Sequence, residues 1–307
     1  VTTHTPTHVI VLFGGESAEH DVSCVTAAHV LRALDPKKYR ISAIGITRDG
    51  KWNLATQAMA DLQRGPEHVG PTLSTDGAPT SISVVVGEAR DNSQTVVFPL
   101  LHGPLGEDGT VQGLLELANI AFVGTGVLGS SVSMDKGVAK QVLHANGIPQ
   151  PQYISLREAH INDASLQHAI DTLGLPLFVK PANMGSSVGV SKAKNAAELK
   201  VAAAQALKYD EWIVIEEAIS GREIEVAVLG NIDARASTPG EIVPGNEFYD
   251  YEDKYITDGA QLVIPANLSA DEIEAVQKLA IVIFHTLRAE GMARVDFFYE
   301  KDGRGFL

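Results

Sequence analysis

Short apolar runs that end in glycine-rich turns mark the first part of the chain. A β-branched run at 8–13 ends at Gly14–Gly15, and a helical pattern and a second apolar run follow. This order of strand, glycine turn, helix and strand is typical of a βαβ unit in a parallel sheet. The predicted elements are strands at 8–13, 39–47, 95–101 and 120–124, with helices at 21–34 and ending near 118. We therefore expect residues 1–125 to form an N-terminal α/β domain whose ligands bind at the carboxyl ends of its strands.

The remaining chain has an α+β pattern that favours antiparallel sheets. The predicted elements are helices at 130–148, 196–209 and 270–289, strands at 211–219, 222–231 and 293–300, and a strand, glycine-rich loop and strand at 175–195. We expect a central domain at 126–219 and a C-terminal domain at 220–307. A hairpin turn follows the last strand and its partner strand has only begun at Leu307, so we expect that the natural chain continues beyond this residue.

Composition places the chain among ordinary globular proteins, since 45% of its residues are hydrophobic and 20% are charged. Acidic residues outnumber basic ones by 38 to 24, which gives a formal net charge of −14. A chain this acidic repels phosphate backbones, so we expect no nucleic-acid partner. A local cluster of lysine and arginine can still bind a small anion.

The single cysteine and the lengths of the apolar runs indicate the cellular compartment of the protein. Cys24 excludes an internal disulfide and is expected on the packed face of the first helix, which fits a reducing cytosol. No apolar run approaches the ~20 residues of a membrane span, so no membrane partner is expected. The first apolar stretch has no basic region before it and indicates a strand rather than a signal peptide. We therefore expect a cytoplasmic protein.

A lysine beside a glycine-serine loop gives the strongest chemical signal. Lys180 ends an apolar strand, and the loop 185–189 follows as Gly-Ser-Ser-Val-Gly. A cation beside a loop rich in N–H and hydroxyl donors can hold phosphate, although the Walker spacing is absent. The alternative is a flexible hairpin tip with one solvated lysine. Lys136 at a helix start and Lys254 in a polar, aromatic loop add two candidate cations.

Two loops in the first domain carry an acid or a histidine where a strand has just ended. Glu19 lies in the loop after the diglycine, where acidic residues suit an ammonium group or the positioning of another loop better than a phosphate. A plain tight turn is the alternative interpretation. His102 follows an apolar strand, and its alternative is a solvated loop histidine.

Charged residues also stand at the ends of later strands. Glu216–Glu217 end one strand and Glu223 begins the next, so their carboxylates can accept hydrogen bonds from an adenine amino group or from ribose hydroxyls. A solvated acidic turn is the alternative. Arg294 and Asp296 lie two apart on a strand and hence on one face. They form either a simple ion pair or, next to phosphate, a charge clamp and a metal ligand.

Taken in order, these segments resemble the D-alanine–D-alanine ligases of the ATP-grasp superfamily. The matching segments are 14–23, 101–117, 133–136, 179–191, 220–229, 247–255 and 293–298. The resemblance covers essentially the whole chain and preserves order and spacing. It implies an ATP-grasp fold, in which a Rossmann-like parallel-sheet domain precedes central and C-terminal domains that hold ATP between two antiparallel sheets.

The resemblance also implies an activity and its partners. The implied reaction is ATP-dependent ligation of two D-alanine molecules to D-alanyl-D-alanine through a D-alanyl phosphate, for peptidoglycan precursor synthesis. The implied cofactors are ATP and Mg²⁺ or Mn²⁺, and the implied assembly is a homodimer. The residues implied to bind ATP are Lys136, Lys180, Ser187, Glu216, Glu217, Ile219, Glu223 and Lys254.

The resemblance assigns the other candidate residues to the substrates and the metal. Glu19, Ser186 and Tyr255 are implied to form a hydrogen-bonded triad that orients the first D-alanine. His102 is implied near the carboxylate of that substrate. Arg294 is implied to stabilise the oxyanion, and Asp296 to bind the metal ion.

Three alternatives stay open at this point. A D-alanine–D-lactate ligase shares the fold and chemistry, although the loop with Lys254–Tyr255 favours an amine acceptor. A different ATP-grasp ligase would lack the set of Glu19, Ser186 and Tyr255. The family's remaining metal ligands are expected beyond Leu307, so the chain can also be read as a nucleotide-binding but catalytically incomplete fragment.

Overall fold

The chain folds into two units that divide between Ser131 and Val132. The computed structural model describes residues 6–91, 94–245 and 259–307. The candidate residues Lys254 and Tyr255 lie outside the described residues. The first unit ends a little beyond the predicted boundary at residue 125, and the predicted boundary at residue 219 within the second unit stays a prediction.

A six-stranded sheet with helices on both faces forms the first unit. Its strands are β1 (Thr7–Gly14), β2 (Tyr39–Ile46), β3 (Trp52–Leu54), β4 (Ala78–Pro79), β5 (Thr95–Pro99) and β6 (Ala121–Phe122). Its helices are α1 (His20–Ala33), α2 (Thr56–Arg64), α3 (Ile82–Asp91), α4 (Thr110–Leu117) and α5 (Val127–Met134), of which α5 reaches past the boundary. The strand order is β4-β3-β2-β1-β5-β6, with β1, β2, β5 and β6 parallel and β3 and β4 antiparallel. The predicted parallel core is confirmed, whereas β3, β4, α2 and α3 were not predicted.

Burial on both faces explains why β1 reads as an unbroken apolar run. Val11 and Phe13 pack into one cluster with α1, and Ile10 and Leu12 pack into a second cluster on the opposite face. This is the usual state of a central parallel strand. Cys24 is buried in the α1 cluster as predicted, and burial raises the pKa of its thiol to about 11.

A buried serine ties the carboxyl ends of β1 and β5 to the start of α1. The Gly14 amide donates to Ser23 Oγ at 2.8 Å, and Ser23 Oγ donates to the Leu100 carbonyl at 2.5 Å. Gly14 has φ +88°, and a Cβ there would lie 2.2 Å from the Ile46 carbonyl oxygen. The glycine turn therefore lets the backbone pass between β2 and α1, and Ser23 fixes the edge that carries the loops.

The second unit begins with an antiparallel sheet and three helices. The strands are β7 (Tyr153–Arg157), β8 (Leu177–Pro181), β9 (Ser191–Ala193) and β10 (Trp212–Glu217), in the order β7-β10-β8-β9. The helices are α6 (Lys136–Ala145), α7 (Asp163–Leu173) and α8 (Ala196–Ala206). The prediction of one helix over 130–148 is wrong, because Asp135 has extended backbone and its side chain accepts from the Val138 amide at 3.0 Å. This N-cap ends α5 and starts α6.

A second antiparallel sheet completes the unit. Its strands are β11 (Arg222–Gly230), β12 (Arg235–Ala236), β13 (Gly240–Val243), β14 (Gln261–Val263), β15 (Gly291–Glu300) and β16 (Gly305–Phe306), and its helix is α9 (Ala270–Thr286). The order is β14-β13-β11-β15-β16, with β12 beside β11. Alternate residues of β11, such as Ile224 and Val226, pack with Val276 and Phe284 of α9. The intervening residues lie on the other face of the sheet.

The hairpin at the end of the chain has the predicted form. β15 and β16 pair antiparallel, and the rings of Tyr299 and Phe306 stack at 4.2 Å between centroids. The sheets thus confirm the predicted α/β and α+β class. Among the described residues, no helix has the length and apolar character that crossing a bilayer requires.

We expect Ser23→Ala to lower the free energy of unfolding by about 2 kcal/mol, because it leaves the buried Gly14 amide and Leu100 carbonyl without this partner. Ser74→Ala is the matched control. Ser74 is exposed and bonds only locally to Asp76, so its loss should cost less than about 0.5 kcal/mol. Urea denaturation of both variants measures the difference. Equal effects would show that Ser23 does not hold the strand ends together.

Candidate active site

A buried carboxylate lies between two lysines in the first antiparallel sheet of the second unit. Glu216 on β10 is 4% exposed. Its Oε2 atom lies 2.5 Å from Nζ of Lys180 on β8, and its Oε1 atom lies 3.2 Å from Nζ of Lys140 on α6. Burial by itself raises the pKa of Glu216, but Lys180 and Lys140 together outweigh burial and lower it to about 2. The carboxylate is therefore ionised and doubly paired at neutral pH.

A third lysine lies close to this pair. The Nζ atom of Lys136, at the start of α6, donates to the Ala182 carbonyl at 3.3 Å and to the Met184 carbonyl. Burial, followed by repulsion from Lys180, lowers the pKa of Lys136 to about 8, although Glu216 acts in the opposite direction. Besides Glu216, Asp135 and Asp210 act on Lys136, so nearby carboxylates partly balance the three ammonium groups. Three clustered ammonium groups nevertheless offer charged donors to an anionic ligand.

The glycine-serine loop 185–189 turns tightly beside these lysines. Ser186 and Ser187 have φ of 49° and 59°, which non-glycine residues seldom adopt. At Gly189, with φ 72°, a Cβ would lie 2.7 Å from the Tyr209 ring, so only glycine fits. Strain of this kind persists where the surrounding structure imposes it, and such positions cluster at functional sites.

Asn183, two residues before this loop, is anchored to the segment that leads into β10. Both the backbone amide and the side-chain Nδ2 of Asn183 donate to Asp210 Oδ2, each at 2.8 Å. The loop thus leaves the sheet from a fixed point next to Lys180. This arrangement agrees with the phosphate-cradle interpretation better than with a freely moving hairpin tip.

The carboxylate of Glu217 also has cationic and backbone partners. Its Oε1 atom accepts from the Gln152 amide at 2.7 Å and from Arg304 Nη1 at 2.6 Å. Arg304 lies in the β15–β16 turn and also binds Glu300. Ile219 follows on the same connection and is half-buried. The pair Glu216–Glu217 is therefore not the solvated acidic turn that the sequence left open.

The face of the second antiparallel sheet that points away from α9 carries a cluster of charges. Glu223 and Glu225 lie on β11, and Glu225 is directly opposite Asp296 of β15. Arg294 donates through Nε and Nη2 to the two oxygens of Asp296, both at 2.7 Å, and its Nη2 lies 3.3 Å from Glu225 Oε1. The predicted common face of Arg294 and Asp296 is confirmed.

The donor chemistry of this face fits a hard divalent cation. Asp296 and Glu225 offer carboxylate oxygens, and Mg²⁺ takes one or two carboxylates together with substrate phosphates. Asp296 is more than half exposed and is accessible to an ion. In the ranges 6–91, 94–245 and 259–307 no group of three or more histidine, cysteine, aspartate or glutamate residues has a metal-binding arrangement.

In the first unit, the loops that carry Glu19 and His102 meet at the carboxyl ends of β1 and β5. Glu19 is buried just before α1, and its amide donates to Ser17 Oγ at 2.9 Å. A Cβ on Gly103 would lie 2.6 Å from Glu19 Oε2, so the two loops touch. His102 Nε2 lies 3.3 Å from Thr26 Oγ1. These loops occupy the edge where a sheet of this type binds ligands.

The resemblance implies a triad whose three members come from different parts of the chain. Glu19 lies in the first unit and Ser186 in the second, while Tyr255 lies outside the described residues. Lys254 lies outside them as well. The triad and the role of Lys254 stay predictions.

Sequence reasoning missed two residues of this site, Lys140 and Arg304. Lys140 follows Lys136 by one helical turn, so the spacing could have placed both on the same face of α6. Arg304 gave no local signal, because only the pairing of β15 with β16 brings it to Glu217.

Two family models match the chain, one described as the D-Ala–D-Ala ligase N-terminus over residues 8–125 and one as its C-terminus over residues 142–307. The chain belongs to the D-alanine–D-alanine ligase family. Among curated relatives, D-alanine–D-alanine ligase A of Chromobacterium violaceum is 44% identical over 305 residues, covering 95% of this chain and 82% of the relative. The D-alanine–D-alanine ligase of Geobacillus thermodenitrificans is 44% identical over 309 residues, which cover 98% of this chain and 85% of the relative.

Solved structures of family members support the same assignment. The D-alanine–D-alanine ligase from Coxiella burnetii has a TM-score of 0.79 and 34% identity, covering 98% of this chain and 82% of that one. The VanG D-Ala:D-Ser ligase from Enterococcus faecalis has a TM-score of 0.82 and 32% identity, and the match covers 98% of this chain and 88% of that one. The predicted family and the ATP-grasp fold class are therefore confirmed.

We expect the stability contributed by Glu216 to vanish in acid. The pKa of this group is lowered from 4.5 to about 2 in the folded state, so its contribution is fully present above pH 4.5 and is lost as the pH falls towards 2. The full loss is about 3 kcal/mol. Denaturant titrations between pH 5 and pH 3 should show a steeper fall for the wild type than for Glu216→Gln. Parallel slopes would mean that the carboxylate is not held by the two lysines.

Proposed function

We propose that this chain catalyses the ATP-dependent ligation of two D-alanine molecules to D-alanyl-D-alanine, for peptidoglycan precursor synthesis. The observation that carries the proposal is the group of Lys136, Lys140 and Lys180 around the buried Glu216, next to the glycine-serine loop. This cluster of enclosed ammonium donors suits a polyphosphate. Membership of the ligase family supports the particular reaction.

The reaction runs in two steps. A carboxylate oxygen of the first D-alanine attacks the γ-phosphorus of ATP, the bond from phosphorus to the β–γ bridging oxygen breaks, and ADP leaves. The amine of the second D-alanine then attacks the carbonyl carbon of the D-alanyl phosphate. The tetrahedral intermediate loses phosphate, and the nitrogen releases its excess proton to solvent. Positioning and charge stabilisation supply most of the catalysis in such phosphoryl transfers.

The lysine cluster binds the phosphates of ATP in this proposal. Lys136 and Lys180 make charge-assisted contacts, and Ser187 and the loop 185–189 cover the phosphates. The enclosed position of Lys136 supports this role, because an ammonium group with a pKa lowered to about 8 gains strongly from an anionic partner. Lys254 reaches the γ-phosphate.

The base and sugar of ATP lie between the two antiparallel sheets. Ile219 packs against the adenine, and Glu216 and Glu217 line the same pocket. Glu223 accepts hydrogen bonds from the ribose hydroxyls. The half-buried position of Ile219 and the location of Glu223 on the sheet face away from α9 support this assignment.

Arg294 stabilises the oxyanion that forms when the second D-alanine attacks. Its guanidinium is held by Asp296 and Glu225, which supports a fixed orientation. Asp296 would hold Mg²⁺ or Mn²⁺, with Glu225 as a neighbouring oxygen donor. When bound, the ion neutralises phosphate charge and increases the electrophilic character of the γ-phosphorus.

The first D-alanine binds at the loops of the first unit. His102 lies near its carboxylate, and Glu19, Ser186 and Tyr255 form the hydrogen-bonded triad that orients it. The burial of Glu19 and the contact between its loop and that of His102 support a preformed site. We further propose a homodimer and a cytoplasmic location, both by analogy with the family.

An acceptor assay tests the proposal. The chain is incubated with ATP, Mg²⁺ and D-alanine, alone or with D-serine or D-lactate, and the products are identified by mass spectrometry alongside ADP release. We expect D-alanyl-D-alanine as the main product. A D-alanyl-D-serine product is the outcome that the similarity to the VanG ligase favours, and a depsipeptide would indicate the D-lactate alternative. Nucleotide binding without any ligation would support the incomplete-fragment interpretation.

We expect Lys180→Met to raise the dissociation constant of ATP by about 10- to 100-fold, because it removes a charge-assisted phosphate contact worth ~1.5–3 kcal/mol. Isothermal titration calorimetry measures the change. Lys200→Met is the matched control, since Lys200 forms an exposed ion pair with Asp163 on the surface of the same unit. Unchanged ATP affinity in Lys180→Met would exclude this lysine from the phosphate site.

A further inference from the structure

We propose that Lys140 is a positioning residue of the nucleotide site, whose ammonium group keeps Glu216 paired so that Lys180 can turn from this carboxylate to a phosphate. The inference rests on the proposed function and deepens it. It assigns two roles to two lysines that contact the same carboxylate. Lys140 remains paired with Glu216, and Lys180 binds a phosphate of the nucleotide.

The two lysines differ in how they are held. Each oxygen of Glu216 has its own partner, Lys140 at 3.2 Å and Lys180 at 2.5 Å. The side chain of Lys140 is 13% exposed, whereas that of Lys180 is 22% exposed. Lys180 lies at the end of β8 next to the loop 185–189 and has access to a ligand there. Lys140 is the more enclosed of the two.

Lys140 is fixed from three sides. It projects from α6, whose start is capped by Asp135. Its ammonium group lies 5.1 Å from the centroid of the Tyr153 ring, at the distance of a cation–π contact. Tyr153 of β7 is the direct cross-strand partner of Glu216, so the ring and the carboxylate lie side by side on one face of the sheet. Lys140 therefore spans a helix and two neighbouring strands.

The energetic reason for a second lysine is the burial of Glu216. Removing one partner of a buried ion pair leaves an uncompensated charge, and this is strongly unfavourable. If Lys180 were the sole partner of Glu216, ATP binding would break that ion pair. The carboxylate would then remain buried in a low-dielectric environment without a cation. With Lys140 in place, one ion pair remains while Lys180 binds phosphate.

A purely structural ion pair between α6 and the sheet is the competing explanation. It predicts that loss of Lys140 lowers stability but leaves the affinity for ATP unchanged once the protein is folded. The positioning role predicts a change in ATP affinity that depends on the charge of Glu216. The two explanations therefore differ in a measurement made on folded protein.

The experiment combines Lys140→Met, Lys140→Arg, Glu216→Gln and the double variant Lys140→Met/Glu216→Gln in the full 307-residue chain. We expect Lys140→Met to raise the ATP dissociation constant and the KM for ATP about tenfold, with the KM for D-alanine changed less than about twofold. Lys140→Arg keeps the charge and should restore ATP affinity to within about threefold. In the Glu216→Gln background, Lys140→Met should change ATP affinity by less than about twofold.

Any other outcome contradicts either the role of Lys140 or the proposed function itself. If Lys140→Met binds ATP like the wild type, or weakens binding equally with and without the Glu216 charge, Lys140 does not act through Glu216. Should Lys140→Met fail to fold, Lys140→Gln replaces it with the same expected loss. Lys200→Met is the control and should bind ATP normally. A wild-type chain that neither binds ATP nor forms dipeptide refutes the proposed function, before any question about Lys140 arises.

Discussion

The neutralisation of the buried Glu216 is the constraint on which the proposed nucleotide site depends. A buried carboxylate on an inner strand of a sheet can remain ionised only if cations reach it from fixed positions. β8 supplies Lys180 from the neighbouring strand, and α6 supplies Lys140 from above. The break between α5 and α6 at Asp135 sets where α6 begins and so where Lys136 and Lys140 lie. The N-cap at Asp135 and the ion pairs of Glu216 thus both fix the position of α6 against the sheet.

The second antiparallel sheet handles charge in a different way. Arg294 and Asp296 are each more than half exposed, and exposed pairs of this kind contribute little to stability. Replacing the Arg294–Asp296 contact by a contact to a ligand or a metal ion therefore costs little free energy. Glu225 lies beside Arg294 as a further acceptor. The second unit therefore combines an enclosed charge cluster around Glu216 with a more exposed one around Arg294.

Local signals in the sequence were sufficient for the parallel strands, the glycine turn at Gly14 and the loop beside Lys180. They failed where apolar periodicity continues through a boundary, as at Asp135, because the cap that separates the two helices is a single polar residue. The short strands β3 and β4 lacked enough alternation to be recognised. Lys140 and Arg304 could not be assigned roles, because their partners Glu216 and Glu217 become neighbours only through tertiary packing.

The net charge of −14 does not prevent this chain from holding a polyanion. Interactions between exposed charges are screened beyond roughly 8–10 Å at physiological ionic strength, so the many surface carboxylates act weakly on a ligand in the site. The three lysines around Glu216 act at short range and are shielded from solvent, where electrostatic interactions are stronger. The acidic surface disfavours nonspecific binding of nucleic acid. In the proposed function, a few cations concentrated in an enclosed site therefore provide affinity for a nucleotide, while the acidic surface disfavours larger polyanions.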